Sequence, residues 1–426
     1  MASQVAWLAF DADQQRRTEL MMLALADQGT IDELGMGLIR DLVARVLHPN
    51  LTVQHTRAKY LVFIPRIYRS LSERTTDRMM QQGRKAEGKL IQDLVEYYRG
   101  SEGLDDRGII GRRRGEDTKQ LASASYWPLL RALGIQTEGS VTEFCRRRAE
   151  AIAASHAKSL LHSDEEPEQV EYQPSLELPA DEGGEVSFDL SLDEAEWVRQ
   201  RFVGAETRAE HERSLLSWLL DPARDYWVED LDRPWNHPEV DHFPAETAIA
   251  MWVGYDVDRL VHGARILYNW LCARGRPLGD RRDELMDKYA RAMVAWQESM
   301  ADEGVPGPDR LAEIDAWTRK RLDEVGGSRR AQLRWQLSAQ FLRSWSVLAD
   351  SEDDLLASPA AARLVVEREA KLKPGRARLQ DPALLTDWDG DSGYFRLDFN
   401  WGVARRMLAD VHRGLGTRVV SMEDLG

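Results

Sequence analysis

Residues 31–68 read IDELGMGLIRDLVARVLHPNLTVQHTRAKYLVFIPRIY, and this stretch decides the fold class. Its first half carries apolar residues at intervals of three and four, namely Ile31, Leu34, Leu38, Leu42, Val43 and Val46. That spacing places them on one face of an α-helix over 31–47. We expect the helix to end at His48, Pro49 and Asn50, because proline and asparagine commonly end helices. The stretch therefore predicts amphipathic helices that bury their apolar faces.

A second helix is predicted over 52–68, with Thr52 as its N-cap and Pro65 as a kink or an end. Two helices joined by a short turn are typical of a helix-turn-helix, whose second helix presents polar side chains to the major groove of DNA. The polar side chains here are Gln54, His55, Arg57 and Lys59. They are candidate nucleic-acid-binding residues. Two ordinary packed helices with a solvated face are the alternative, since this turn of about five residues exceeds the usual length.

Similar periodicity over the rest of the chain predicts a mainly α, multi-helical protein. Further helices are expected at 13–27, 77–98, 125–133, 141–161, 191–202, 206–220, 245–274, 279–303, 308–325, 328–349, 354–373 and 399–414. Ser191 and Glu194 form a predicted capping box at the start of one of them. Residues 108–115 are expected to form a loop, and only short strands are indicated, near 186–190 and 394–399.

The negative charge of the chain is concentrated in one segment. The net charge is −15, and residues 161–200 contain 13 acidic residues against one arginine, a local charge of −12 that leaves −3 elsewhere. Acidic residues, proline and glycine together disfavour a packed element. We therefore predict a helical domain over 1–160 with the helix-turn-helix-like segment, an acidic linker over 161–190 and a helical domain over 191–426. The parts outside the linker are then able to present basic surfaces.

Clusters of cationic residues are the second set of candidate nucleic-acid-binding residues. Arg112, Arg113 and Arg114 lie in a loop between glycines, and a later cluster consists of Lys371, Lys373, Arg376 and Arg378. Phosphate contacts use charge and need no base specificity, so such clusters fit binding to a nucleic-acid backbone. The alternative is a solvated surface, or salt bridges to neighbouring acids.

Composition also indicates where the protein acts. The two cysteines, Cys145 and Cys272, are far apart and outside any CxxC pair, so neither a disulfide framework nor a cysteine-ligated zinc site is expected. The chain shows no signal peptide, and no apolar run approaches the length that crosses a membrane. We expect a cytoplasmic protein without a membrane partner.

No catalytic motif is identified. His156 and Lys158 form a single His-x-Lys, whereas phospholipase-D-type chemistry normally uses two. The glycine pairs match neither a P-loop nor a dinucleotide fingerprint. Glu369 and Lys371 resemble half of a restriction-type nuclease site, but they lie in a helix pattern. We predict no catalytic residue, metal site or cofactor. The sequence leaves open whether the protein is an enzyme and favours a role without catalysis.

The chain resembles one family of bacterial proteins known as a domain of unknown function. Four stretches carry this resemblance: residues 31–68, 108–135 (GIIGRRRGEDTKQLASASYWPLLRALGI), 362–379 and 395–416. Members of such families often lie in operons with helicases, methyltransferases or phosphodiesterases of anti-phage defence. The resemblance therefore implies a bacterial, intracellular role in defence or DNA processing. It carries over no catalytic residue.

Three functional hypotheses follow. The first is a non-enzymatic component of a defence or DNA-processing system that binds DNA or the protein partners of a defence operon. The second is a metal-dependent nuclease or hydrolase with an unrecognised site, for which Asp241, His242, Glu369 and Lys371 are candidates. The third is a structural adaptor that docks through its tryptophan-rich helices.

Overall fold

The computed structural model describes residues 32–100, 107–115, 118–161, 178–179, 186–208, 213–386 and 388–424. These residues are mainly helical, as the periodicity predicts. The predicted helix over 13–27 and most of the predicted acidic linker lie outside them. Within them, no helix is long and apolar enough to cross a membrane.

The helices of the first half are short to medium in length, and a short strand follows them. They are α1 (Gly37–Leu47), α2 (Tyr60–Ser70), α3 (Thr76–Tyr97), α4 (Ala122–Ala132), α5 (Val141–Leu161), α6 (Leu192–Arg208), α7 (Leu215–Leu219) and the strand β1 (Tyr226–Val228). Ser191 and Glu194 form the predicted capping box before α6, since each backbone N–H donates to the other's side chain at 3.0 and 3.3 Å.

The second half contains longer helices. They are α8 (Ala245–Arg274), α9 (Asp280–Glu303), α10 (Pro308–Glu324), α11 (Arg329–Ser351), α12 (Pro359–Leu372) and α13 (Trp401–Leu415), followed by β2 (Arg418–Val420). The strands β1 and β2 pair in parallel from Tyr226 with Arg418 to Val228 with Val420. The strands predicted near 186–190 and 394–399 are wrong, because both segments lack strand structure.

The chain forms two compact units, each built from segments that are distant in sequence. The first unit comprises residues 1–44 and 249–399, and the second comprises residues 45–248 and 400–426. The predicted division into 1–160, 161–190 and 191–426 stays a prediction, because the linker that defines it lies mostly outside the described residues.

Tryptophan side chains anchor the core of the first unit. Trp345 and Trp335 are almost completely buried, and the Trp345 indole donates a hydrogen bond to the Leu260 carbonyl at 2.8 Å. The indole of Trp296 lies so close to Gly263 that a Cβ there would be 2.5 Å from the ring. The first unit therefore depends on aromatic side chains that fill the space between helices, and the indole N–H groups of Trp296, Trp335 and Trp345 each donate to a polar partner.

Aromatic side chains also form the core of the second unit. Tyr60 packs against Tyr126 and Phe188, with ring centroids 5.2 and 5.4 Å apart. A second group, Tyr68 with Trp127 and Phe144, lies where α2, α4 and α5 meet. Together the two groups fix α2 among its neighbours.

The helix predicted over 52–68 begins only at Tyr60. The backbone N–H groups of Thr56 and Arg57 donate to the Tyr126 hydroxyl at 2.8 and 3.0 Å, and that of Ala58 donates to the Asp410 carboxylate at 3.0 Å. These tertiary acceptors replace the carbonyls that a helix would offer over 52–58. The segment is a series of turns that precedes α2. The helix-turn-helix geometry expected from the sequence is therefore wrong, because residues 52–58 do not belong to a helix.

Candidate nucleic-acid interface

The arginine loop, residues 108–115, is held in a tight turn by hydrogen bonds within its own backbone. The Gly111 carbonyl accepts hydrogen bonds from the N–H groups of Arg114 and Gly115 at 3.0 and 2.8 Å. Gly108 and Gly111 have φ angles of +84° and +82°, a left-handed conformation that glycine adopts without steric cost. Gly111, which directly precedes the arginines, and Gly108 are therefore required by the turn.

Contacts with the segment before α2 hold the arginine loop in place. The Thr56 hydroxyl donates to the Gly108 carbonyl at 2.6 Å, and the Ile110 N–H donates to the Tyr60 hydroxyl at 3.0 Å. Ile109 is buried. The loop is thus anchored on one side by hydrogen bonds and an apolar side chain, which leaves the arginine side to face outward.

The arginine loop also packs closely against α3. A Cβ at Gly111 would lie 2.8 Å from the Ile91 side chain, so only glycine allows this approach. Beyond the loop, the Thr118 carbonyl accepts a hydrogen bond from the Arg84 guanidinium at 2.7 Å. Arg84 and Ile91 are seven residues apart, which is about two helical turns, so the loop runs along the side of α3 between them.

A cavity of about 330 Å³ opens at this loop. Its lining consists of Ile109, Gly111, Arg112, Arg113, Arg114 and Thr118. Arg113 and Arg114 are exposed, and no carboxylate among the residues that the structure describes forms an ion pair with either of them. The planar guanidinium matches the geometry of phosphate oxygens and forms charge-assisted hydrogen bonds with them. The cavity is therefore chemically suited to a phosphate group.

Gln54 is connected by a hydrogen bond to the segment that follows the arginine loop. Its side-chain oxygen accepts a hydrogen bond from the Gln120 amide at 2.8 Å, and Gln120 follows the cavity residue Thr118 by two positions. Gln54 is exposed. Of the four polar residues predicted on the second helix of a helix-turn-helix, Gln54 is the exposed one, whereas Arg57 lies against the arginine loop at Gly108.

His55, Arg57 and Lys59 have internal partners instead. The Arg57 guanidinium pairs with the buried Asp410 carboxylate at 2.7 Å and lies 4.6 Å over the Phe188 ring. Lys59 pairs with Glu194. These side chains do not project from a helix into a groove, because the residues that carry them precede α2.

His55 is fixed as a neutral imidazole. Its Nδ1 accepts from the Thr52 N–H at 3.1 Å, and its Nε2 lies 3.0 Å from the Ser125 carbonyl, to which it donates. Burial lowers the pKa of His55 to about 4, since a charged ring would lose its hydration. Its role is to close the turn at 52–55.

A second arginine triplet provides a contrast with the arginine loop. Arg146 and Arg147 pair with Glu150 and Glu143 on the same helix, and the Arg148 guanidinium donates to the Leu71 carbonyl at 2.6 Å. Two triplets that look alike in sequence therefore differ in structure: the triplet on α5 has partners for all three guanidinium groups, two of them carboxylates on α5, whereas the triplet of the arginine loop lines a cavity.

The predicted cluster of Lys371, Lys373, Arg376 and Arg378 belongs to the first unit and is divided between two roles. Lys373 and Arg378 both pair with the buried Glu33, and the Arg378 nitrogen lies 2.8 Å from its carboxylate oxygen. Lys371 and Arg376 are exposed. Only these two side chains are presented to solvent, so this cluster offers less positive charge than its sequence indicates.

The nuclease candidates do not converge on a metal site. Glu369 is buried and accepts from the Tyr268 hydroxyl at 2.7 Å, whereas Lys371 is exposed on the same helix. Asp241 and His242 are exposed in a short 3-10 helix, Val240–His242. Over the described ranges, no group of three or more His, Cys, Asp and Glu residues is arranged to hold a metal ion.

Sequence reasoning missed Arg84 and Asp410. Arg84 lies in an ordinary helix pattern, and nothing local shows that its guanidinium reaches the carbonyl of Thr118, 34 residues later. Asp410 accepts from Arg57 across 353 residues. Both partnerships depend on tertiary structure, and the only available signal was the charge of the residue itself.

Comparisons with known proteins identify a family and no further relative. No curated protein and no solved structure matches the chain. The family model of DUF6361, described as a family of unknown function, matches residues 2–414, which is nearly the whole sequence. The chain therefore belongs to DUF6361, a family of unknown function.

Proposed function

We propose that this protein is a binding component that contacts the phosphate backbone of nucleic acid through the arginine loop. The observation that carries the proposal is the pair of exposed arginines, Arg113 and Arg114, at the cavity of an anchored loop. Charge alone would attract a polyanion, but the cavity gives a phosphate group a defined place. Gln54, which is exposed and hydrogen-bonded to Gln120, supplies a neutral hydrogen-bonding group in this proposal.

The anchoring of the loop supports binding in energetic terms. A loop that is already held by Thr56 and Tyr60 loses little conformational entropy when a ligand binds. Each guanidinium then gains charge-assisted hydrogen bonds to phosphate oxygens. The expected affinity depends on backbone contacts and only weakly on base sequence.

Fluorescence anisotropy with labelled oligonucleotides at low salt tests the proposal. The double variant R113A/R114A removes both exposed guanidinium groups, and we expect its Kd to rise at least about tenfold, since each charge-assisted contact is worth roughly 1.5–3 kcal/mol. The matched control is R329A/R330A, because these two arginines are exposed at the start of α11 in the first unit. Equal Kd values for the loop variant and the control would overturn the proposal.

The resemblance supports a setting for this activity. We propose that binding serves a bacterial defence or DNA-processing system, inside the cell and together with protein partners of the same operon. The test is the plating efficiency of phages on a host that carries the gene with its natural neighbours. Protection that is lost with R113A/R114A and kept with R329A/R330A supports this setting, and equal protection by both variants contradicts it.

A further inference from the structure

The outward face of α3 carries positive charge beside the arginine loop. Arg78 and Lys85 are exposed and lie seven residues apart. Seven residues correspond to about two helical turns, so the two side chains lie within about 20° of each other and about 10 Å apart along the axis. The opposite side of α3 is apolar and buried, with Met79, Leu90 and Leu94 at its core.

This face is continuous with the arginine loop. The loop runs along α3 between Arg84 and Ile91, and Lys85 follows Arg84 in sequence. Successive residues on a helix are about 100° apart, so Lys85 lies next to the side that the loop covers. The cavity and the face of Arg78 and Lys85 are thus neighbours on one surface of the second unit.

Of the acidic residues on α3, Asp77 is exposed beside Arg78 in sequence and lowers the local charge, whereas Glu87 and Asp93 are engaged elsewhere. Glu87 is buried, its carboxylate accepts from Tyr68 and Ser123, and burial raises its pKa. Asp93 pairs with Lys89 at 2.5 Å, one turn beyond Lys85. In the part of the chain that the structure covers, no carboxylate forms an ion pair with Arg78 or Lys85.

The residue types of this surface suit a nucleic-acid duplex better than a single strand. Proteins that bind single strands combine positive charge with aromatic side chains on which the bases stack. The cavity lining and residues 78–89 of α3 contain arginine, lysine and glutamine and no aromatic residue. Charges fixed on a helix and an anchored loop suit the regular phosphates of a duplex, whose strands each carry one phosphate per about 3.4 Å of axis.

We propose that the arginine loop and the exposed face of α3 form one interface for the backbone of a nucleic-acid duplex. The loop cavity holds one phosphate, and Arg78 and Lys85, about 10 Å apart along α3, contact further phosphates of the duplex. This inference rests on the proposed function and adds the form of the ligand and the second element that binds it.

The test measures Kd by fluorescence anisotropy for a DNA duplex, an RNA duplex and single strands of the same sequence. The variant R78E/K85E reverses both charges on α3, and the control R329E/R330E makes the same change of net charge on exposed residues of the first unit. We expect R78E/K85E to raise the duplex Kd at least about tenfold over the control. The single strands should bind the wild type at least about tenfold more weakly than a duplex does.

Each outcome has a defined meaning. If R113A/R114A weakens binding and R78E/K85E equals its control, the α3 interface is overturned and the proposed function stands. If neither variant weakens binding, both the proposed function and the α3 interface are overturned. Single strands that bind as tightly as duplexes overturn the assignment to a duplex. If R78E/K85E loses the helical circular dichroism of the wild type, R78A/K85A replaces it, and an unchanged duplex Kd for that variant overturns the inference.

Discussion

At the scale of single residues, a charged side chain that pairs inside the fold has a structural role and is not offered to a ligand. Arg57 was a candidate DNA contact because it is a cation in a polar stretch, yet its Nε and Nη2 both donate to Asp410, at 2.9 and 2.7 Å. The same carboxylate accepts from the Ala58 N–H and so fixes the turn that precedes α2. The sequence shows the arginine and the aspartate, but 353 residues separate them and no local pattern connects them.

Replacing Asp410 with asparagine should destabilise the protein strongly. The change leaves the Arg57 guanidinium buried without its counter-ion, so the free energy of unfolding should fall by about 3–5 kcal/mol. Urea denaturation followed by circular dichroism measures this loss. The control is Asp93→Asn, which breaks the more exposed pair with Lys89 and should cost less than about 1 kcal/mol. Similar small losses for both variants would show that the Arg57 pair contributes little.

The buried histidines make the stability of the fold depend on pH. Burial lowers the pKa of His55, His237 and His412 to about 4, below the ordinary value of 6.5. Between those values the unfolded chain binds protons that the folded protein excludes, so the free energy of unfolding falls as the pH drops from 6.5 to 4. His55 alone should account for about 3 kcal/mol of that loss at pH 4.

Urea denaturation at pH 7, 5.5 and 4.5 measures this dependence for the wild type and for His55→Gln. Glutamine is able to keep one donor and one acceptor, but it does not titrate. The variant should therefore lose stability less steeply with falling pH. Parallel curves for the two proteins would mean that His55 contributes nothing to the pH dependence.

At the scale of elements, apolar periodicity and helix-ending residues predicted the ends of most helices to within a few residues. The helix predicted over 308–325 is Pro308–Glu324, and that over 245–274 is Ala245–Arg274. These boundaries are local, because proline, glycine and the loss of apolar spacing lie at the ends themselves. The start of α2 and the parallel pairing of β1 with β2 depend on residues far away in sequence, and the sequence predicted neither.

The close approach of the arginine loop to α3 gives a test at this scale. Gly111→Ala places a Cβ 2.8 Å from the Ile91 side chain and should push the loop away from α3. We expect weaker duplex binding and a loss of about 1–3 kcal/mol in the free energy of unfolding. Gly100→Ala is the matched control, since Gly100 has a similar φ of +81° but no neighbour within 4 Å. Equal binding by both variants would show that the position of the loop against α3 is irrelevant.

At the scale of the whole molecule, the distribution of charge matters more than its sum. A net charge of −15 repels a polyanion, but 12 of those charges fall within residues 161–200. A local cationic surface is then able to steer and hold a phosphate backbone. The sequence identified residues 112–114 as a candidate, but it ranked them no higher than residues 371–378. The structure distinguishes the two clusters, because in residues 371–378 two of the four cations pair with the buried Glu33.

The salt dependence of duplex binding tests whether the arginine loop contacts phosphates directly. The logarithm of the association constant should fall linearly with the logarithm of salt concentration, by about 0.9 for each phosphate neutralised. Between 50 and 200 mM salt, roughly the range over which such slopes are resolved, R113A/R114A should show a slope smaller by about 1 than the wild type, because the loop cavity holds one phosphate. A slope that is the same in both proteins would contradict this contact.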